Sequence, residues 1–278
     1  MEVRTRTVLL PHLGLEFEVL EDDSIIGPAI ERGSWADHET HLFRSHLEPG
    51  CTVVDLGANV GWFTVQAILA GAYVHAFEPV PAIADVCWRN MQRAMATGPG
   101  RGELHRVAAG SKRGQAEIVL APRNHGDNRV VAPGAADPAD LGGCERLTID
   151  VAPVDEFVTG PVRFLKIDTQ GSEWMALCGA RRLLADSPRM GLLLEFWPYA
   201  LRGASPQELL DFVAAQGFVL GKATEAPYPM SPQRILRQAL ARDPVKGGID
   251  LYGARGVPFH VTSWKNRLRG VVRRVKEQ

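Results

Sequence analysis

Residues 51–61, with the sequence CTVVDLGANVG, form an apolar segment that ends in a glycine-rich turn. The run CTVVDL is short and apolar, which is typical of a buried parallel strand. Small residues at Gly57, Ala58 and Gly61 let the backbone pass close to a ligand and let the next helix pack against the strand. The segment therefore predicts the first strand, turn and helix of an α/β sheet, with a nucleotide-like ligand at the carboxyl end of the strand.

The chain on both sides of this turn alternates between predicted strands and helices. Further strands are predicted over residues 73–77, 104–108, 164–167 and 192–196. Helices are predicted over residues 37–47, 62–70, 81–96, 172–185 and 206–216. The alternation predicts a doubly wound, mostly parallel sheet with right-handed crossovers. An N-terminal hairpin over residues 7–20 precedes it, and an insertion, residues 110–160, separates strands three and four.

Two acidic residues near the turn bear on the ligand. Glu78 ends the second strand, 21 residues after Gly57, where its carboxylate is placed to accept both hydroxyls of a ribose; this spacing is shared with NAD-binding sheets. The turn reads G-A-N-V-G and lacks the G-x-G-x-x-G pyrophosphate fingerprint. Asp55 would repel a pyrophosphate but suits an amino acid that carries a nearby sulfonium. These residues predict S-adenosylmethionine as the cofactor.

Four segments in this order resemble the FkbM family of S-adenosylmethionine-dependent methyltransferases. They are VVDLGANVGWFT (53–64), AFEPVP (76–81), FLKIDTQGSEWMALCGARRLL (164–184) and LLLEFWP (192–198). The likeness runs from about residue 35 to residue 255, including a closing strand over 250–255. It implies a Rossmann-like class I methyltransferase fold, whose mostly parallel sheet carries an antiparallel edge strand. It also implies O-methylation of a hydroxyl on a small natural product or sugar.

The resemblance also implies roles for individual residues. The methionine part of the cofactor would be held by Asp55, Gly57, Asn59 and Gly61. Glu78 would bind the ribose, and Ala108 and Ala109 would flank the adenine. The acceptor would be bound by Asp127, Asn128, Glu173 and Glu195.

An alcohol acceptor must lose its proton, which requires a general base or a metal. Two catalytic candidates follow: Asp168, at the end of the fourth strand, and His125, in the polar part of the insertion. Asp168 has an alternative role as a helix cap. Histidine is the better base by its ordinary pKa of about 6.5. No metal is expected, although Asp168 and Glu195 with Asp127 or Asn128 would offer an all-oxygen site.

Charge and length limit the partners and the domain organisation. The net charge of −1 over 278 residues argues against a generally basic nucleic-acid binder. Residues 264–278 carry a local charge of +5 with apolar residues at helical spacing. Such a tail either packs on the protein or binds an anionic membrane or acidic partner. We expect an N-terminal cap over 1–36 that includes the hairpin, a methyltransferase domain over 37–256 and a basic tail over 257–278.

Four scattered cysteines and the lack of a recognisable signal peptide predict a cytoplasmic protein with reduced thiols. Two alternatives to the methyltransferase stay open: an NAD(P)-dependent oxidoreductase, and a non-catalytic binding module that retains the sheet. The sequence does not determine the acceptor or the oligomeric state.

Overall fold

The structure, a computed structural model, describes residues 3–131, 144–244 and 247–259. Its strands are β1 Thr5–Leu10, β2 Leu15–Leu20, β3 Thr52–Leu56, β4 Tyr73–Phe77, β5 Arg101–His105, β6 Ala108–Ala109, β7 Gly114–Val119, β8 Arg129–Val131, β9 Arg146–Ala152, β10 Phe164–Ile167, β11 Met190–Phe196, β12 Val219–Lys222 and β13 Ile249–Arg255. Its helices are α1 Ile26–Glu31, α2 Asp37–Arg44, α3 Trp62–Leu69, α4 Pro81–Thr97, α5 Glu173–Cys178, α6 Arg181–Asp186, α7 Pro206–Ala215 and α8 Pro232–Leu240. None of the helices in these ranges is long and apolar enough to cross a bilayer.

A seven-stranded sheet in the order β12-β13-β11-β10-β3-β4-β5 forms the centre of the molecule. β3 pairs in parallel with both β4 and β10, so the chain proceeds to one side through β4 and β5 and later to the other through β10 and β11. Ligands bind at such a switch point, beyond the carboxyl ends of the strands. The predicted fold class is therefore confirmed.

The antiparallel strand is β13, and it lies inside the sheet. It pairs antiparallel with β11 on one side and with β12 on the other, so the edge strand β12 is joined to the sheet by antiparallel pairing, as predicted. Six of the seven residues of β13 are not exposed, which suits a strand paired on both sides.

Both faces of the sheet are covered, which explains why β3 is mostly apolar. Val53 packs in the hydrophobic cluster on one face, together with the N-terminal hairpin and α4. Val54 and Leu56 pack in the cluster on the other face, with α5 to α8. Because successive side chains of a strand point to opposite faces, a strand covered on both sides carries apolar residues toward both, and the one charged residue of β3, Asp55, is buried with Thr64 and Lys166 as partners.

The insertion builds a second sheet, in the order β6-β9-β7-β8. The predicted strand over residues 104–108 is wrong because the chain changes sheets there. β5 ends at His105 in the large sheet, and β6 begins at Ala108 in the small one.

The predicted helix over residues 172–185 is divided into α5 and α6 at Gly179. A Cβ at Gly179 would lie 2.0 Å from the carbonyl oxygen of Gly110, so the chain has to turn here without a side chain. The carboxylate of Asp155 then accepts hydrogen bonds from the N–H groups of Arg182 and Leu183 at 2.8 and 2.9 Å, which starts α6.

The N-terminal hairpin is joined to α4 by a buried acid. Glu18 accepts a hydrogen bond from Arg89 at 2.7 Å, and Arg93 lies 3.3 Å away. The bond from Arg89 is the main cause that lowers the pKa of Glu18 to about 2. The basic tail over 264–278 lies outside the described residues.

Candidate active site

A cavity of about 670 Å³ opens at the carboxyl ends of β3, β4, β10 and β11. Its volume lies in the usual range for small-molecule sites, roughly 300–1,000 Å³. Most of the predicted site residues line it: Gly57, Asn59, Glu78, Ala108, Ala109, His125, Asp127, Asn128, Asp168 and Glu195. Three predicted residues do not line it: Asp55, Gly61 and Glu173.

The turn after β3 is hydrogen-bonded mainly to the end of β4. The N–H groups of Gly57 and Ala58 both donate to the carbonyl of Phe77, at 3.0 and 2.9 Å. The N–H of Asn59 donates to Glu78 at 3.0 Å, and that of Val60 donates to the side chain of Asn59 at 2.7 Å. Because these N–H groups are satisfied within the protein, the turn offers no ready cradle for a pyrophosphate.

Glu78 lies in the cavity wall and is 6% exposed. Its two carboxylate oxygens accept hydrogen bonds from the N–H groups of Asn59 and Val80, and each oxygen retains acceptor capacity. Burial raises the pKa of Glu78 to about 7, against the opposing effect of these two bonds. The residue is thus an acceptor group at the end of β4, as the ribose interpretation requires.

Asp55 lies beneath the turn, fully buried, and does not reach the cavity wall. It accepts a hydrogen bond from Thr64 at 2.7 Å and lies 3.5 Å from the ammonium of Lys166. Burial acts to lower the pKa of Lys166, but Asp168 and Asp55 outweigh it and raise that pKa. The predicted direct contact of Asp55 with the cofactor is therefore not supported; the residue anchors α3 and a charged lysine.

Gly61 and Glu173 also serve the framework. Gly61 has φ +91°, and a Cβ there would meet the Cys87 sulfur at 3.0 Å, so it lets α3 approach α4. Glu173 is 1% exposed and accepts bonds from the N–H groups of Thr169 and Gly171 at 3.1 and 2.9 Å. Glu173 does not line the cavity and instead holds the loop after β10 through these bonds, so its predicted contact with the acceptor is not supported.

Three carboxylates meet at the ends of β10, β11 and β13. Glu195 lies directly opposite Asp250 across the antiparallel pair, and the amide of Gln170 donates to both Glu195 and Asp168 at 2.8 Å. Burial and the charge of Asp168 raise the pKa of Glu195. Asp250 faces the cavity, yet the surrounding walls displace enough water to raise its pKa to about 7, with Glu39 and Asp168 adding to the effect. Like charges opposed across strands are unfavourable, which is typical of a functional site.

The sequence also offered an alternative, an all-oxygen metal site whose ligands would be Asp168 and Glu195 with Asp127 or Asn128. The Gln170 amide lies between the first two. Asp127 pairs with Arg129 at 2.8 Å, and Asn128 accepts from the N–H of Ala121 at 2.9 Å. The last two therefore hold their own loop in shape while lining the cavity.

His125 is buried in the cavity wall at 3% exposure and is not a solvated loop residue. Its Nε2 lies 3.2 Å from Asp22, and its Nδ1 has no partner among the described residues. A buried imidazole nitrogen without a partner in a cavity wall is a candidate proton acceptor.

Sequence reasoning missed Asp22, Glu39 and Asp250. Asp250 carried a signal, since it is a lone acid in the otherwise apolar segment IDLYGA. Asp22 and Glu39 carried none, because their positions relative to the cavity depend on how the N-terminal segment packs.

Among the residues that the structure describes, one group of three metal-ligating side chains lies within 4.8 Å: His75, Glu103 and His105. It does not line the cavity. His75 Nδ1 and His105 Nε2 are 3.0 Å apart and their rings are inclined by 11°, so one nitrogen donates a hydrogen bond to the other. Burial lowers the pKa of His105 to about 4, which keeps this pair neutral.

The switch-point cavity, the acid at the end of β4 and the antiparallel β13 inside the sheet are features of the Rossmann-like class I methyltransferase fold. The sequence matches the family model described as Methyltransferase FkbM domain over residues 55–220, more than half of the chain. The chain belongs to this family, and the resemblance seen in the sequence is confirmed.

Several solved structures are similar to this chain. An FkbM methyltransferase from Methylobacillus flagellatus KT shares 20% identity over 73% of this chain and 43% of its own, with a TM-score of 0.46; the present chain thus spans less than half of that protein. Magnesium protoporphyrin IX methyltransferase from Synechocystis PCC 6803, solved with SAM, shares 13% identity over 84% of this chain and 85% of its own, at a TM-score of 0.44. A putative methyltransferase from Streptococcus mutans, solved in complex with SAH, shares 11% identity over 78% of this chain and 94% of its own, with a TM-score of 0.45. No curated protein sequence matches the chain.

Proposed function

We propose that this methyltransferase transfers a methyl group from S-adenosylmethionine to a hydroxyl oxygen of a small natural product or sugar. The observation that carries the proposal is the buried carboxylate of Glu78, which lines the cavity beside the turn after β3. Such a group can accept hydrogen bonds from both hydroxyls of a ribose.

The cavity wall suits the parts of this cofactor. Glu78 would hold the ribose, and the small side chains of Ala108 and Ala109 leave room for a flat base beside it. Asp168 lines the cavity and would accept hydrogen bonds from the ammonium of the methionine part or from the acceptor. When bound, the cofactor supplies an electrophilic methyl group on a positively charged sulfur.

The same residues argue against an NAD(P)-dependent oxidoreductase. A dinucleotide needs free N–H groups at the turn for its pyrophosphate. Here the N–H groups of Gly57 to Val60 are already bonded inside the protein, and Glu78 adds a negative charge when ionised.

The remaining cavity residues suit a neutral acceptor rich in hydroxyls. Glu195, Asp250 and Glu39 offer carboxyl oxygens as hydrogen-bond acceptors, and Lys166 is the one lysine or arginine in the wall as described. Apart from Lys166, the wall as described therefore lacks the basic groups that bind the phosphates of a nucleic acid. His125 would take the proton of the hydroxyl that is methylated. Four free cysteines are consistent with work in the cytoplasm.

Calorimetric titration of the full chain tests the cofactor. We expect saturable binding of S-adenosylmethionine and of its demethylated product, S-adenosylhomocysteine (SAH), and no binding of NAD or NADP. Transfer of a radiolabelled methyl group to a panel of sugars and polyhydroxylated metabolites then identifies the acceptor. Binding of NADP without S-adenosylmethionine would reverse the assignment.

Substitution of Glu78 by alanine should weaken SAH binding by about 1–3 kcal/mol, as expected for losing charge-assisted hydrogen bonds. Calorimetry on the two proteins measures the difference. Asp85→Ala is the matched control, because Asp85 is an exposed acid on α4 that pairs with Arg106 and does not line the cavity. Equal affinity in Glu78→Ala and wild type would count against the ribose assignment.

The affinity for SAH should rise with pH through neutrality. Hydroxyl donors favour the ionised form of Glu78, whose pKa is raised to about 7 by burial, so binding weakens as the pH falls below that value. A group with that pKa is about 10% ionised at pH 6 and about 90% at pH 8, which predicts roughly tenfold tighter binding at pH 8. Glu78→Gln should remove this dependence; any remainder belongs to other groups such as Asp250. An identical pH profile in both proteins would contradict the prediction.

A further inference from the structure

His125 is held at three points, and two of them come from the loop between β2 and α1. Its backbone N–H donates to Asp23 at 3.2 Å, and its carbonyl accepts from the Asn59 side chain at 3.0 Å. Its ring nitrogen Nε2 lies 3.2 Å from Oδ1 of Asp22. The residues that hold the imidazole therefore include a segment before residue 55, where the family match begins.

The loop that carries Asp22 is itself fixed. Asp23 Oδ1 accepts hydrogen bonds from the N–H groups of Ile25 and Ile26, at 2.8 and 2.6 Å, at the start of α1. The N–H and hydroxyl of Ser24 both donate to the carbonyl of Arg123, each at 2.9 Å. These bonds tie the loop to the strand connection that carries His125, so Asp22 meets the ring in a defined position.

The contact with Asp22 decides which ring nitrogen carries the proton. An ionised carboxylate only accepts hydrogen bonds, so Nε2 of His125 must be the donor. A neutral imidazole with its proton on Nε2 has a lone pair on Nδ1. That Nδ1 is buried and has no partner among the described residues, and His125 lines the cavity.

We propose that Asp22 is a positioning residue that keeps the proton of His125 on Nε2 and thereby leaves Nδ1 as the proton acceptor of the methyl transfer. This inference rests on the proposed function. The acceptor hydroxyl gives its proton to Nδ1, and its oxygen forms a bond to the methyl carbon. The carbon–sulfur bond breaks, and its electron pair stays on sulfur. The ring then carries a positive charge, which the carboxylate of Asp22 offsets.

Nuclear magnetic resonance of the ¹⁵N-labelled full chain at pH 8 tests the proposal without an acceptor, with His125→Gln assigning the signals. In wild type we expect one tautomer, protonated on Nε2, with that proton visible because its hydrogen bond slows exchange. In Asp22→Asn the amide can also donate, so we expect a mixture of tautomers and loss of the proton signal; Asp22→Glu should restore the wild-type pattern. A wild-type ring protonated on Nδ1, or an unchanged pattern in Asp22→Asn, overturns the proposal.

Three controls separate positioning from folding and from the proposed function. Glu21→Gln makes the same charge change one residue away, where the side chain lies 3.9 Å from Arg4, and should leave the pattern unchanged. Asp22→Ala replaces the asparagine variant if that variant does not fold. SAH affinity in Asp22→Asn should stay within about twofold of wild type, since Asp22 does not line the cavity. If this variant loses both its SAH affinity and the single Nε2-protonated tautomer, the role of Asp22 is merely structural and the proposal is overturned. Failure of wild type to bind SAH would instead refute the proposed function, whatever the tautomer.

Discussion

Replacing His125 with glutamine should lower kcat by roughly 10²- to 10⁴-fold, the usual contribution of a general base. The amide retains a polar side chain of similar reach but cannot take a proton at neutral pH. Because His125 is proposed to act on the acceptor hydroxyl and not on the cofactor, the affinity for SAH should change little. The measurement is methyl transfer at saturating acceptor, with SAH binding followed by calorimetry.

His41→Gln is the matched control, because His41 is exposed on α2 and does not line the cavity. Asp168→Asn and Asp250→Asn complete the set, since Asp168 was the other base predicted from sequence and burial raises the pKa of Asp250 to about 7. Retained kcat in His125→Gln, together with its loss in Asp250→Asn, would transfer the proton-accepting role to Asp250.

Alanine at Gly57 should abolish SAH binding and lower the free energy of unfolding by roughly 2–4 kcal/mol. Gly57 has φ +78°, and an added Cβ would lie 1.9 Å from the backbone carbonyl oxygen of Asp168. Neither backbone can yield easily, because the N–H of Asp168 also donates to Leu56 at 3.0 Å and holds the ends of β3 and β10 together. Denaturant unfolding followed by circular dichroism measures the stability.

Gly50→Ala separates the clash from the strain of a positive φ. Gly50 has φ +79°, nearly the same as Gly57, but a Cβ there would meet nothing within 4 Å. We expect it to lose only about 1 kcal/mol of stability and to bind SAH normally. Equal losses in the two variants would show that backbone conformation alone, and not the approach of β10, requires glycine at position 57.

Local patterns were enough for short, mostly apolar strands bounded by turn signals. The strands predicted over 73–77 and 164–167 coincide with β4 and β10, although each includes one polar side chain, His75 in β4 and Lys166 in β10. The predictions failed where a distant segment intervenes. The helix over 172–185 divides at Gly179 because Gly110 packs against it. The strand over 104–108 divides because β5 ends at His105 and the last predicted residue, Ala108, pairs with β9 in another sheet.

The sequence by itself determined the alternating sheet, the turn at residues 57–61, the acid at position 78 and the family. These features depend on local periodicity and on residues close together in the chain. Only the tertiary structure decided that Asp250 faces Glu195, that Asp22 reaches His125, and that Asp55 and Glu173 lie behind the cavity wall. The physical reason is that strand order, register and the packing of the N-terminal segment arise from contacts between distant segments. A shift of one residue in register would turn a strand residue such as Asp250 or Asp55 to the other face of the sheet, whereas Asp22 and His125 meet only through the packing of two connecting segments.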